Sequence, residues 1–235
     1  MSKRAATGGY DPSGIDLEAW TELEEQLEET IPNYDRVNRL MTFGQDKRWR
    51  RNVRNHATKG MKVLEVGCGP GSFAEDLVGL DVTCLDPSEA MLKVAKKRVD
   101  GARASRGEPP AAYVQALAED IPLEDNTFDM VFCLFSFRDF QDKKKGLEEI
   151  YRVLKPGGQL VICDAGKANY LHGLAGRMWM STVVQWMARW VTKTKDHPWK
   201  GLARSYTYYG TNKYYRTLMK DCLLYTSDAA DDLWC

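Results

Sequence analysis

The sequence lacks any long apolar segment and any excess of charge of one sign. No stretch approaches the roughly 18–20 apolar residues of a membrane-spanning helix, and the N-terminus has no apolar core typical of a secretory signal. Lys and Arg together number 33, and Asp and Glu together number 33. Without a net positive field, nucleic acid is not an expected partner. These absences predict a soluble, cytoplasmic protein.

Histidine is scarce, and the cysteines are scattered. The three histidines do not have the spacing of metal ligands, and none of the six cysteines forms a Cys-x-x-Cys pair. Cys84, Cys133 and Cys163 each lie in an apolar run typical of a strand. We therefore expect buried, reduced thiols and neither a metal site nor a disulfide framework.

The central part of the chain alternates between short apolar runs and helical patterns. The five runs are MKVLEV, VTCLD, AAYVQAL, FDMVFCLF and QLVICD. Strands that alternate with helices favour a mostly parallel sheet with helices on both faces. We predict an α/β, Rossmann-like domain over residues 58–221.

Two helical segments precede this domain. Between Leu17 and Ile31, apolar residues recur at spacings of three and four, which predicts an amphipathic helix that begins after Asp16 and ends at Pro32. A second helical region, residues 34–56, is basic. We expect residues 15–57 to form a helical lid. Residues 1–14 are rich in small, polar and turn-forming types and are predicted to be disordered.

The most informative segment is VLEVGCGPG, residues 63–71. It predicts a buried strand that ends in glycines, where the chain turns sharply and a ligand can approach the backbone. The spacing is G-x-G-x-G, whereas a dinucleotide fingerprint requires G-x-G-x-x-G. Glu65, two residues before the first glycine, suits a ligand with a cationic amino-acid end.

Further ligand contacts are expected after the next two strands. An acid at Asp86 can accept hydrogen bonds from both hydroxyls of a ribose, although Asp86 could instead be a cap or turn acid. Residues 117–120 follow the third strand, where an adenine edge would lie. The predicted cofactor-binding residues are Glu65, Gly67, Cys68, Gly69, Gly71, Asp86, Leu117 and Ala118.

These motifs resemble those of the class I S-adenosyl-L-methionine-dependent methyltransferases, over roughly Tyr34–Asp221. Within that superfamily, three segments are similar to the ubiquinone/menaquinone-biosynthesis C-methyltransferases. They are the Y-D-x-x-N pattern at Tyr34 with Met41 and Trp49, the loop FSFRD at residues 135–139, and RVLKPGG at residues 152–158. The sequence departs from the family pattern at several positions, including Leu117, where a polar residue is usual, and Asp139, where Asn is usual.

The resemblance implies a cofactor, S-adenosyl-L-methionine, and a reaction, methylation of a ring carbon in a prenylated quinol precursor. It places Arg138 and Asp139 in the catalytic step. Because the pKa of arginine exceeds 12, we expect Arg138 to stabilise a developing phenolate while Asp139 or a bound water takes the proton. The alternative for Arg138 is a structural salt bridge with Asp139 or Asp142.

The resemblance also implies that Tyr34, Asn38, Met41 and Trp49 cover the acceptor pocket, with core packing as the alternative for Met41 and Trp49. A lipid-like acceptor fits the Trp- and Met-rich segment 169–194 and the basic run 47–54, both of which would suit peripheral contact with an anionic membrane. The alternatives are a packing helix and a solvated helix face.

Two other functions remain open at this stage. The chain could methylate a different small molecule, or it could bind the cofactor without catalysing any reaction as a partner in quinone synthesis. The oligomeric state does not follow from the sequence.

The last fourteen residues, CLLYTSDAADDLWC, are unlike anything before them. Residues 222–231 reproduce the translation of a widely used transposase sequencing adapter, TGTCTCTTATACACATCTGACGCTGCCGAC. We hypothesise that residues 222–235 are adapter read-through. In that case the final antiparallel strands, with which the resembled family completes its sheet, are incomplete here, and an edge strand is exposed.

Overall fold

The computed structural model describes residues 9–194 and 197–222. Residues 47–164 form one compact unit, the sheet unit, and the described residues on either side, 9–46 and 165–222, form a second, the helical unit. In chain order the strands are β1 (Tyr10–Asp11), β2 (Gly14–Ile15), β3 (Lys62–Val66), β4 (Asp81–Asp86), β5 (Ala112–Gln115), β6 (Phe128–Leu134) and β7 (Leu154–Cys163). The helices are α1 (Leu17–Thr30), α2 (Tyr34–Met41), α3 (Asp46–Arg54), α4 (Glu89–Ala104), α5 (Lys143–Val153), α6 (Tyr170–Ser181), α7 (Val183–Thr192), α8 (Trp199–Tyr208) and α9 (Asn212–Asp221).

The sheet unit contains a five-stranded, all-parallel sheet in the order β5-β4-β3-β6-β7. Its central strands β3 and β6 are almost completely buried, as expected for continuous apolar runs that are covered on both faces. Helices α4 and α5 begin at Ser88 and Asp142, whose side chains accept backbone N–H bonds from the first turn. The predicted Rossmann-like α/β fold is confirmed, and Cys84, Cys133 and Cys163 are buried as predicted.

One of the two edge strands of this sheet is β7, which pairs only with β6 within the described residues. Leu160, Val161 and Ile162 in its middle are only partly buried, whereas the equivalent part of β6 is fully buried. After β7 the described chain is helical, with no further strand up to residue 222. Of the hypothesised read-through tail, residues 222–235, only Cys222 is described, and residues 223–235 lie outside the described residues.

The helical unit has its own apolar core. Val37 of α2 packs with Ala188 and Val191 of α7 and with Trp199 of α8. A neighbouring cluster contains Met180, Val184 and Tyr206. The helices after Asp164 pack with α1 and α2 in one unit, so the compact units are divided differently from the predicted lid (15–57) and methyltransferase domain (58–221).

The N-terminal segment differs from the disordered start predicted for residues 1–14. Residues 10–15 form the antiparallel hairpin β1–β2, and Tyr10 and Ile15 pack with Ala19 and Leu23 of α1. The burial of these apolar side chains outweighs the turn-forming composition; residues 1–8 lie outside the described range. Helix α1 begins after Asp16, whose carboxylate accepts the Ala19 N–H, as predicted.

The second predicted helix, residues 34–56, is divided into α2 and α3. Phe43 and Gly44, between them, both have positive φ, a conformation that ends an α-helix.

Within the described ranges, no helix is long and apolar enough to cross a membrane.

The glycine turn after β3 packs closely against α4. A side chain at Gly71, in this turn, should therefore be more destabilising than one at Gly107, which lies in open space. Gly71 and Gly107 have similar φ values of +76° and +69°. A Cβ at Gly71 would lie 3.0 Å from Ala95 Cα and 2.8 Å from Val99 Cγ2, whereas a Cβ at Gly107 would meet nothing within 4 Å.

We expect Gly107→Ala to lose roughly 1–2 kcal/mol of unfolding free energy through backbone strain alone. Gly71→Ala should lose a further ~1–3 kcal/mol, because helix and turn must separate. Urea unfolding of both variants measures the difference. Equal losses would show that the turn does not depend on contact with α4.

Candidate active site

The carboxyl ends of four parallel strands bring the predicted functional residues of the sheet unit to one edge. Glu65 lies near the end of β3, Asp86 ends β4, the FSFRD loop follows β6, and Asp164 follows β7. In open α/β sheets, ligands bind at this edge. Neither Asp164 nor Arg50, described below, is among the predicted site residues.

The glycine turn lies directly beside the loop after β6. Gly67 has φ +70°, and a Cβ at this position would clash with the side chain of Ser136. Ser136 in turn donates a hydrogen bond from Oγ to the Val66 carbonyl at 2.8 Å. A glycine is required here because the loop packs where a side chain would project.

Asp86 orients the same turn. Its Oδ2 accepts the Gly69 N–H at 2.8 Å, and its Oδ1 accepts the Ser88 N–H at 3.0 Å. The structure therefore shows the turn-acid role that the sequence left as an alternative. A carboxylate has about four acceptor sites, so these two bonds are compatible with hydroxyl donors from a ligand.

Glu65 is 2% exposed, less than Asp86 or Asp164, which are each 7% exposed. Burial raises the pKa of Glu65 to about 8; the charge of Asp86 also raises it, while Arg50 and a hydrogen bond from the Ala74 N–H lower it. Within the described residues, its Oε2 is buried and has no hydrogen-bond partner. A buried acceptor without a donor costs stability, and a bound cationic donor would remove that cost.

Arg50 of α3 is a functional candidate that sequence reasoning missed. The basic run 47–54 predicts either a solvated helix face or contact with a membrane surface, but Arg50 is buried, and its Nη1 donates to the Ser72 carbonyl at 3.0 Å. Arg54 likewise bonds the carbonyls of Ala57 and Val78. A sequence signal was present, because the spacing of Asp46, Arg50 and Val53 places Arg50 on the same helix face as the apolar Val53. All three residues are buried in the structure.

Arg138 follows β6 and is 7% exposed. Its Nη1 forms a 2.6 Å ion pair with Asp164 Oδ1, and its backbone N–H donates to Asp164 Oδ2 at 3.1 Å. Its Nε lies 3.5 Å from Asp139 Oδ1. Lys143 is also buried and donates to the Arg138 carbonyl at 3.0 Å. The main partner of Arg138 is thus Asp164, and of the two partners suggested by the sequence only Asp139 is close.

The segment after β5 holds the active-site loop through Glu119. Its Oε1 accepts the Asp142 N–H at 2.9 Å. Burial raises the pKa of Glu119, while backbone hydrogen bonds to residues 141 and 142 lower it. The Glu119 carboxylate is therefore engaged by the chain that precedes α5. Ala118 is buried and Leu117 is half-buried, so both offer packing and backbone groups.

The predicted acceptor-pocket residues fall in both units. Trp49 belongs to the sheet unit, where its ring lies 6.2 Å from that of Phe135, a residue with φ +60°. A positive φ at a bulky residue is strained and is typical of functional sites. Tyr34, Asn38 and Met41 lie on α2 of the helical unit, and Met41 packs against the two apolar clusters there.

A comparison with known proteins agrees with this geometry. Residues 20–229 match the ubiE/COQ5 methyltransferase family. The chain belongs to that family. The resemblance inferred from the glycine turn, the FSFRD loop and RVLKPGG is thereby confirmed.

Individual relatives share the family and the fold. The demethylmenaquinone methyltransferase of Renibacterium salmoninarum is 37% identical over 147 residues, which cover 61% of this chain and 58% of that protein. The ubiquinone/menaquinone biosynthesis C-methyltransferase UbiE of Geobacter sulfurreducens is 35% identical over 152 residues, with coverages of 60% and 57%. The chain thus spans somewhat less than two thirds of the length of these relatives.

Among solved structures, a methyltransferase from Thermotoga maritima superimposes with a TM-score of 0.59 at 20% identity. The match covers 85% of this chain and 80% of that chain. At this identity the similarity supports the fold.

The pKa of Glu65 predicts a pH dependence of stability. The folded chain retains the proton up to about pH 8, whereas an unfolded glutamate loses it near 4.5. Stability from the protonated carboxyl is therefore fully present below pH 4.5 and is lost as the pH rises to about 8. The loss is at most roughly 1.4 kcal/mol per pH unit. Glu65→Gln, which mimics the neutral acid, should flatten this decline in urea unfolding between these pH values; identical slopes would mean that Glu65 is ionised when folded.

The Arg138–Asp164 pair predicts a second effect, with a matched pair as its control. Arg152 and Asp125 are also 2.6 Å apart, but the Asp125 side chain is 64% exposed, whereas that of Asp164 is 3% exposed. Asp164→Asn should lose about 3–5 kcal/mol of unfolding free energy, since it leaves a buried charge without its main partner. Asp125→Asn should lose about 0–1 kcal/mol. Similar losses in the two variants would show that burial does not determine the strength of the pair.

Proposed function

We propose that this chain is an S-adenosyl-L-methionine-dependent methyltransferase that methylates a ring carbon of a prenylated quinol precursor. The observation that carries the proposal is the buried Glu65 carboxyl at the end of a glycine turn, in a chain of the ubiE/COQ5 methyltransferase family. The names of the relatives from R. salmoninarum and G. sulfurreducens favour a quinone-type acceptor.

The residues at the carboxyl edge fit this cofactor. The unpartnered Oε2 of Glu65 suits the ammonium of the methionine part, and Asp86 suits the ribose hydroxyls. Gly67, Cys68, Gly69 and Gly71 provide backbone that a ligand can approach closely, and Leu117 and Ala118 provide apolar contact for the adenine. When bound, S-adenosyl-L-methionine supplies an electrophilic methyl group on a sulfonium sulfur.

Methylation of an aromatic carbon requires electron density on the ring, which a phenolate oxygen provides. We assign its stabilisation to Arg138, whose position is maintained by Asp164. The ring hydroxyl must lose its proton in this step, and a nearby carboxylate can accept it. Asp139, 3.5 Å from Arg138 Nε, is the carboxylate we assign to that step, directly or through a water.

We assign Trp49 of the sheet unit to the acceptor pocket, where its apolar ring would contact the acceptor. Such an acceptor is lipid-like and resides in a membrane. The proposed function therefore includes peripheral contact with a membrane surface.

The proposed cofactor site predicts proton release on binding. At pH 7 Glu65 is largely protonated in the ligand-free chain because its pKa is about 8, and a bound ammonium would lower that pKa. Calorimetric titration of S-adenosyl-L-methionine in buffers of different ionisation enthalpy should therefore detect up to one released proton.

Asp86→Asn should weaken binding of S-adenosyl-L-methionine at least tenfold through loss of charge-assisted hydrogen bonds, each worth about 1.5–3 kcal/mol. Asp81→Asn, an exposed acid at the start of the same strand, should leave binding unchanged.

Turnover is tested with methyl-labelled S-adenosyl-L-methionine and reduced demethylmenaquinone. Label in the quinone ring supports the proposal. Binding of the cofactor with label transferred only to another small acceptor contradicts the proposed substrate. Binding without any transfer contradicts catalysis, and absence of both binding and proton release contradicts the cofactor site itself.

A further inference from the structure

The helical unit carries an unusual concentration of exposed apolar side chains. Among the described residues, six of the eleven exposed large hydrophobic side chains fall between residues 170 and 190. They are Tyr170, Leu171, Leu174, Met178, Trp186 and Trp190. Exposed apolar side chains scattered singly are normal, whereas a cluster marks an interaction surface.

Helix α7 is apolar on its buried side and aromatic and basic on its exposed side. Val184, Ala188 and Val191 are buried in the helical unit. On the opposite face, Trp186 is 67% exposed and Trp190 is 63% exposed. Arg189 and Lys193 are exposed beside them, at spacings of three and four residues along the helix.

Helix α6 presents a second exposed stripe. Four exposed apolar residues lie on one side of this helix, because they recur at spacings of three, one and three. They are Leu171, Leu174, Ala175 and Met178. Arg177 is exposed next to Met178. We call the exposed faces of α6 and α7 the tryptophan–arginine face.

The charge of this face determines which partner it fits. Between Asp164 and Asp196 the sequence contains no acidic residue, while it contains five bases, Lys167, Arg177, Arg189, Lys193 and Lys195. Within residues 9–194 and 197–222, none of Arg177, Arg189 and Lys193 forms a salt bridge. The exposed Arg36 of α2 adds a further positive charge, since its guanidinium lies 5.8 Å from the centre of the Trp190 ring.

We infer that the tryptophan–arginine face is a docking surface for an anionic phospholipid bilayer. Tryptophan prefers the membrane–water interface, and arginine and lysine beside it bind anionic headgroups. A second copy of this chain fits less well, because a twofold contact would place basic, acid-free faces against each other. The inference rests on the membrane contact in the proposed function and names the surface that makes it. Vesicle binding can be tested without cofactor or acceptor, so its failure is distinguishable from failure of the proposed reaction.

The test is co-sedimentation of the full chain with vesicles of phosphatidylcholine alone and of phosphatidylcholine with phosphatidylglycerol. The chain should bind the anionic vesicles, and added salt should weaken the binding. Arg189→Gln/Lys193→Gln should weaken it roughly 30-fold, because each base near an anionic surface contributes about a fivefold effect. The matched control is Lys93→Gln/Lys97→Gln, which removes two exposed bases with the same spacing from α4 and should have little effect.

Trp186→Ser/Trp190→Ser should also abolish vesicle binding, whereas Tyr151→Ser, at an exposed aromatic residue of α5, should not. Unchanged urea midpoints would show that these variants fold. Unchanged titration with S-adenosyl-L-methionine would show that they retain the proposed cofactor site, so a loss of vesicle binding would not come from damage to that site. Quenching of tryptophan fluorescence by brominated lipid should decrease in Trp186→Phe/Trp190→Phe.

Four results would overturn the inference. They include equal binding to both vesicle types, binding to neither, and a loss of binding in the control variants as large as in the tested ones. Equally decisive would be sedimentation of a dimer that the tryptophan substitutions dissociate, without any binding to vesicles.

Discussion

The candidate site depends on the burial of acids at one edge of a parallel sheet. Parallel pairing places Glu65, Asp86, Asp139 and Asp164 at the carboxyl ends of their strands or in the loops that follow. Buried carboxylates are unfavourable unless they are paired, hydrogen-bonded or protonated. Glu65, Asp86 and Asp164 are buried and differ in how far they meet this requirement, and the differences define what each can do.

Asp86 and Asp164 are satisfied by the protein itself. Backbone N–H groups of Gly69 and Ser88 hold Asp86, and Arg138 holds Asp164. Glu65 is the exception, because burial raises its pKa and one of its oxygens has no donor within the described residues. An unsatisfied acceptor at this position is the structural reason for proposing that a cationic ligand completes the site.

The helical unit follows a different principle. Its helices bury one apolar face in a common core, yet α6 and α7 also keep apolar side chains on the exposed face. A helix that is apolar on both sides is unusual for a fully solvated surface. Because the segment between Asp164 and Asp196 contains five bases and no acid, its exposed face is positively charged as well as apolar. This combination is the reason for proposing an anionic bilayer as its partner.

Much of the sheet unit follows from the sequence, because its signals are local. Apolar runs separated by helical periodicity predict the five strands, and a glycine-rich turn after an apolar run predicts the ligand-binding edge. The start of α1 was predictable because Asp16 caps the helix through its own carboxylate. The family could also be inferred, since its signatures are short and continuous in the chain.

Other features were decided only by tertiary structure, because they join residues that are distant in sequence. The pairing of Arg138 with Asp164 spans 26 residues, and the bond from Arg50 to Ser72 spans 22. The charge run at residues 47–54 did not distinguish the buried Arg50 from its solvated neighbours, and the composition of residues 9–15 did not show that Tyr10 and Ile15 pack against α1. The sequence by itself determined the α/β fold and the cofactor edge, since periodicity and glycine spacing are local properties. Only the tertiary structure decided which charges are buried and paired, since burial depends on every element that packs around a residue.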